Sequence, residues 1–175
     1  MQIKPLILNE RIENGIEGKA IFSSDCHYRY VLTRCWDDSA WLNIIMLNPS
    51  NGDERILETT TKGVMKRAQK WGYGGMMVAN LFNLISTDPK ALAKCDDPVG
   101  ASGDWAIQYM LQWARRDDEP IVCAWGNHGS LLGRDKQVLK LLEGHELQVL
   151  ALNGNGMPRH PLHMAHNIEP KSWNP

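Results

Sequence analysis

Four short apolar runs recur along the chain, and each breaks into polar turn residues. Leu42-Asn43-Ile44-Ile45-Met46-Leu47 ends at Asn48-Pro49-Ser50-Asn51-Gly52, and Met76-Met77-Val78-Ala79 ends at Asn80. Ile121-Val122-Cys123-Ala124-Trp125 ends at Gly126-Asn127-His128-Gly129, and Leu147-Gln148-Val149-Leu150-Ala151-Leu152 ends at Asn153-Gly154. Runs of this length closed by turn formers suit strands buried on both faces. Asn-Pro and Asn-Gly turn the chain, because the residue before proline is driven away from helix.

Between the runs the apolar spacing becomes helical. Thr59-Thr60-Thr61 caps a helix running to Trp71, with Val64, Met65, Ala68 and Trp71 on its buried face. Lys62, Lys66, Arg67 and Lys70 fall on the remaining surface and read as a solvated face. Gly72-Tyr73-Gly74-Gly75 stops this helix. Asp88-Pro89-Lys90 opens a short helix, Asp104 to Arg116 is amphipathic, and Arg134 to Leu142 is followed by a stop at Gly144. Upstream, Lys19 to Ser23 and Tyr28 to Arg34 alternate as two strands of a hairpin across Ser24-Asp25-Cys26. Residues before Ile16 carry only a weak pattern.

After the hairpin the order is strand, helix, strand, helix, strand, helix, strand. Right-handed crossovers make this a mainly parallel sheet with helices on both faces, a three-layer α/β/α sandwich. The expectation is a single domain over 1–175, with 1–40 an N-terminal hairpin extension and 41–175 the α/β core. In such sheets ligands bind outside the carboxyl ends of the strands. Four polar clusters, Asn48 to Glu54, Asn80 with Asn83, Gly126 to Gly129 and Arg159 to His163, should therefore share one rim.

Composition narrows the classes of function. Nineteen Lys and Arg against twenty Asp and Glu give a net charge of −1, which argues against a strong nonspecific grip on nucleic acid. No apolar run has the length of a membrane span, and Met-Gln-Ile-Lys-Pro-Leu lacks the shape of a signal peptide. Cys26, Cys35, Cys95 and Cys123 show no Cys-x-x-Cys spacing, so neither a zinc knuckle nor a disulfide framework is indicated. The expected setting is the reducing cytoplasm, without a membrane partner. His160, His163 and His166 invite a metal reading, but Pro161 breaks any helix there and no Cys or acidic residue lies close in sequence. No metal or cofactor is expected.

The order of the polar blocks carries a resemblance. Met46-Leu47-Asn48-Pro49-Ser50, Trp71-Gly72-Tyr73-Gly74-Gly75, Asn80-Leu81-Phe82, Asp97-Pro98-Val99-Gly100, Ala124-Trp125-Gly126-Asn127-His128-Gly129 and Pro158-Arg159-His160-Pro161-Leu162 together resemble the bacterial and phage family catalogued as domain of unknown function 1643. More distantly, the blocks resemble those of uracil-DNA glycosylases. Asn48-Pro49 is similar to their Asn-Pro loop, Asn80 to their base-reading Asn, Trp125-Gly126 to their Trp-Gly block, and His160-Pro161-Leu162 to their His-Pro-Ser loop. Leu162 departs from Ser, and the chain after His160 is short, so the DNA-intercalating part of that loop is not expected.

This resemblance implies a uracil-DNA glycosylase-like fold and hydrolysis of the N-glycosidic bond of a base, modified or not, in nucleic acid. The residue chemistry is compatible. Asn48 orients a water, and Asp53 or Glu54 takes its proton if the loop folds inward. Asn80 offers a donor and an acceptor to a base edge. His160 donates to the charge developing on the leaving base. Phe82 or Trp125 stacks on the base, and Pro49, Ser50, Asn127, His128 and Arg159 complete the candidate binding residues. The partner expected is a nucleobase-containing ligand, with DNA as one form of it. Two other readings stay open: a base- or nucleotide-binding module that cleaves nothing, and a hydrolase of free nucleosides or nucleotides.

Overall fold

The continuous apolar character of residues 42–47 has a direct cause: their strand lies in the middle of a sheet and is covered on both sides. The computed structural model describes residues 5–117, 119–162 and 164–175, with the side chains of 115–117 left aside. In chain order the elements are β1 (Leu6–Glu13), β2 (Ile16–Ser23), β3 (Arg29–Cys35), β4 (Trp41–Met46), α1 (Thr59–Lys70) and β5 (Gly75–Asn80). There follow α2 (Gly103–Asp117), β6 (Ile121–Cys123), α3 (Arg134–Leu141), β7 (Leu147–Val149) and β8 (Lys171–Ser172). The strands form one sheet in the order β1-β2-β3-β5-β4-β6-β7-β8.

The expected mainly parallel three-layer sandwich of the uracil-DNA glycosylase kind is not what forms. Only β4–β5, β4–β6 and β6–β7 are parallel. The pairs β1–β2, β2–β3, β3–β5 and β7–β8 are antiparallel, so the sheet is mixed. The reason lies in the N-terminal hairpin, which continues the same sheet. Its β3 pairs along β5, with Leu32 opposite Val78 and Cys35 opposite Gly75. A further strand, β1, pairs along the whole of β2. The missed signal for β1 is Asn14-Gly15, whose positive φ values of 52° and 77° suit a two-residue hairpin turn. Its residues are mostly half-buried or exposed, which erased the alternation that marks a strand. The segment opened by Asp88 is a 3₁₀ turn (Pro89–Lys94), capped by the Asp88 carboxylate accepting from the Lys90 amide at 2.9 Å.

Alternate residues of β4 feed two cores. Ile45 and Leu47 pack on one face with Ile107 and Met110 of α2 and Val138 of α3. Leu42, Ile44 and Met46 pack on the other with Val64 and Ala68 of α1. No helix among the described residues is long and apolar enough to cross a membrane.

One polar residue interrupts the run. Asn43 is 1% exposed, and its Nδ2 donates to Glu119 Oε2 at 2.7 Å, while the Trp41 amide donates to Oε1 of the same carboxylate. Glu119 thereby ties the start of the central strand to the entry of β6. Glu119→Ala leaves the Asn43 amide enclosed without this acceptor. It should lower the unfolding free energy by about 2 kcal/mol or more in a urea titration, with part of the loss recovered by adding Asn43→Val.

Candidate functional site

Three parallel strand ends and the C-terminal loop meet at one rim. Beyond β4 and β5 the pairing continues through Leu81 N–H to Met46 O and Phe82 N–H to Leu47 O, both at 2.9 Å. Asn48 follows, and its Nδ2 donates to Ser86 O at 2.8 Å and to Pro49 O at 3.0 Å. With its donor committed to the backbone of two loops, the amide presents its oxygen as the remaining polar group. After β6, Gly126 turns at φ 75° and its N–H donates to Pro158 O at 2.8 Å. That bond lays the C-terminal loop against the rim so closely that a Cβ on Gly126 would lie 3.2 Å from His160 Cβ.

The resulting cavity holds about 770 Å³, within the range of small-molecule sites. Of the expected residues, Asn48, Ser50, Trp125 and Asn127 line it, together with His128, Arg159 and His160. Asn127 Oδ1 accepts from Asn153 Nδ2 at 2.7 Å, linking the ends of β6 and β7. Trp125 belongs to the wall rather than the opening. It is 1% exposed, meets Trp173 edge-on at 6.0 Å, and lies so near Gly129 that any Cβ there would collide with its ring.

The other expected residues lie elsewhere. Phe82 is fully buried in the core under α2, and Pro49 is buried. Asn80 is 1% exposed and does not line the cavity; its Oδ1 is enclosed without a hydrogen bond. Asp53 Oδ1 accepts from the amides of Arg55 and Ile56 at 2.8 and 2.7 Å, and the residue faces a separate cavity shared with Cys26 and Asn51. Glu54 pairs with Arg55 at 3.1 Å. Neither carboxylate therefore stands beside Asn48.

Instead, the chain returns to the rim at Glu58, Thr59 and Thr60, where α1 begins, and at Ser86 and Thr87. Sequence reasoning passed over Glu58. A usable signal existed: it immediately precedes the Thr-Thr-Thr helix start, on a loop that leaves the rim at Asn48 and must come back.

Arg67 also corrects an expectation. It is no solvated cation but 3% exposed, with Nη2 donating to Met164 O at 2.5 Å and to Pro161 O at 3.3 Å. Helix α1 thus clamps the loop that carries His160. The imidazole Nδ1 accepts from the Leu162 amide at 3.3 Å, which places the proton of the neutral ring on Nε2. Burial pushes the His160 pKa down to about 4, so the ring is a neutral donor at neutral pH. His163 lies outside the described residues, and no group of metal ligands occurs among those described.

These facts set a pH dependence. Folded His160 stays neutral down to about pH 4, whereas the ordinary imidazole value is 6.5. The unfolded chain therefore binds more protons in that window, so this group's stabilisation is complete above pH 6.5 and is lost as pH falls towards 4. Its size is on the order of 3 kcal/mol. Urea titrations between pH 7 and pH 4 should show a flatter stability profile for His160→Gln than for wild type, by roughly that amount.

Comparison with known proteins follows the sequence blocks. The family described as "Protein of unknown function (DUF1643)" matches residues 29–162. The search of curated proteins finds no match. A solved structure of an Agrobacterium vitis protein, provisionally described as a hydrolase, aligns at 12% identity over 97% of this chain and 68% of that chain. Its TM-score of 0.26 is too low to carry any argument. The family match spans most of the chain and includes Asn48, Trp125 and His160, and the chain belongs to the DUF1643 family of proteins of unknown function.

Proposed function

We propose that the rim cavity recognises a nucleobase and hydrolyses the N-glycosidic bond that joins it to its sugar. The observation that carries this reading is the meeting of Asn48 and His160 in one cavity, with His160 neutral and its proton on the free nitrogen. Cleaving such a bond leaves negative charge on the departing base. A neutral, desolvated N–H donor stabilises that charge more in the transition state than in the ground state. Asn48, anchored through its Nδ2, offers its carbonyl oxygen to the attacking water.

Among the described residues, Arg159 is the one Lys or Arg lining the cavity. With the near-neutral net charge, this favours a single nucleoside or nucleotide, or an unpaired base, over a firmly held duplex. A second reading has its own support. The expected base Asp53 faces another cavity, and a site in which no carboxylate is positioned against the water would bind a nucleobase without cleaving it.

Base release followed by mass spectrometry separates the two. The substrates are free nucleosides and nucleotides, and single- and double-stranded DNA bearing uracil, mismatched or modified bases. Release should occur from at least one, and His160→Ala should slow it by about 10² to 10³-fold with little change in KM. Nucleoside binding without release would support the binding module, and neither binding nor release would contradict both readings.

A further inference from the structure

Glu58 is the one acidic residue among the described residues lining the rim cavity. It directly precedes α1, yet its side chain makes no capping hydrogen bond to that helix. The carboxylate turns instead towards Arg29 and Gly52. Arg29 is 0% exposed and lies on β3, with Nη1 donating to Gly52 O and Nη2 standing 3.7 Å from Glu58 Oε1. A buried guanidinium requires a counter-charge, and Glu58 supplies it. A Cβ at Gly52 would collide with Glu58 Oε2, so a glycine here is what lets the carboxylate lie against the loop. Oε2 is enclosed without a hydrogen bond. Oε1 is the oxygen nearer the guanidinium, 3.7 Å from Arg29 Nη2. Such a carboxylate is an ion-paired proton acceptor on the cavity wall, with one oxygen lacking a hydrogen-bond partner.

We propose that Glu58 is the catalytic residue that takes the proton of the attacking water, with Arg29 positioning it from behind. This rests on the reading of the cavity as an N-glycosidic hydrolase and supplies the base that Asp53 does not. In the step, one water proton passes to Glu58 and the water oxygen bonds to the anomeric carbon. The carbon–nitrogen bond breaks, and its electron pair leaves with the nucleobase. His160 Nε2–H hydrogen-bonds the resulting anion, which is then protonated from solvent, as Glu58 returns its proton to solvent.

The test compares wild type, Glu58→Gln and Glu58→Asp. Base release is measured as a function of pH, binding of the same nucleoside by calorimetry, and folding by urea unfolding. Glu58→Gln should lower kcat by about 10² to 10⁴-fold, leave binding within a few-fold of wild type and abolish the acidic limb of the pH profile. A residue that served only as the counter-ion of Arg29 would not move that limb. Glu58→Asp keeps the charge opposite Arg29 but withdraws it by one methylene, so it should fold and still lose most of the rate. Release that survives both substitutions with an unchanged pH profile would overturn the role of Glu58 alone. No release by wild type from any substrate would overturn the hydrolytic reading and the role of Glu58 with it.

Discussion

The rim depends on arginines that fold inward. Arg29, Arg34, Arg67 and Arg134 are each 4% exposed or less, a placement that needs acceptors for every one of them. The acceptors are mostly main-chain carbonyls of the connecting segments. Arg29 takes Gly52 O, Arg34 takes Asp53 O, Arg67 takes Pro161 O and Met164 O, and Arg134 takes Leu81 O. Loops rich in Asn, Pro and Gly have little apolar surface of their own to bury. A guanidinium reaching up from a strand or helix fixes them where the hydrophobic effect has no hold. Three of the four arginines also bear on the site: Arg29 and Arg34 set the approach to Glu58, and Arg67 sets the loop of His160.

The same constraint shows what the residue pattern could and could not reveal. The runs at 42–47, 76–79 and 121–125 were legible because burial on both faces leaves hardly a polar position, Asn43 apart, and each contains a strand. Helices α1, α2 and α3 followed from apolar spacing and glycine stops, close to their observed bounds. The direction and neighbours of the strands were not legible. An alternation of strand and helix suggests parallel crossovers, but nothing in the residues of β3 states that it will pair antiparallel with β5. Strand β1 was hidden because an edge strand with exposed Leu8 and Ile12 lacks a buried face to give it a period. The site divided in a similar way. Asn48, Trp125, Asn127 and His160 were visible as turn and loop residues at strand ends. Asp53 was misplaced because its carboxylate serves its own loop. Glu58 was missed because its one signal, a place just before the Thr-Thr-Thr helix start, was passed over in favour of the nearer Asp53 and Glu54, and Arg67 because a basic residue on a helix ordinarily faces water.

What the cavity brings together is a division of labour between neutral and charged groups. His160 is kept neutral by burial and oriented by a main-chain amide. Asn48 is anchored by two carbonyls, and the one carboxylate on the wall among the described residues is backed by a cation that water does not reach. On the proposed reading, such an arrangement serves charge that appears during a reaction rather than a charge already carried by a ligand.

The central claim is that this cavity receives a nucleobase against a neutral His160. It is tested most directly by nitrogen-15 NMR of the histidine side chains, recorded between pH 5 and 8 with and without added nucleosides. The account predicts an unprotonated Nδ1 and a protonated Nε2 for His160 throughout that range, with the Nε2 resonance shifting as a nucleoside saturates the site. An imidazolium at pH 6, or a His160 signal that no nucleoside moves, would contradict it.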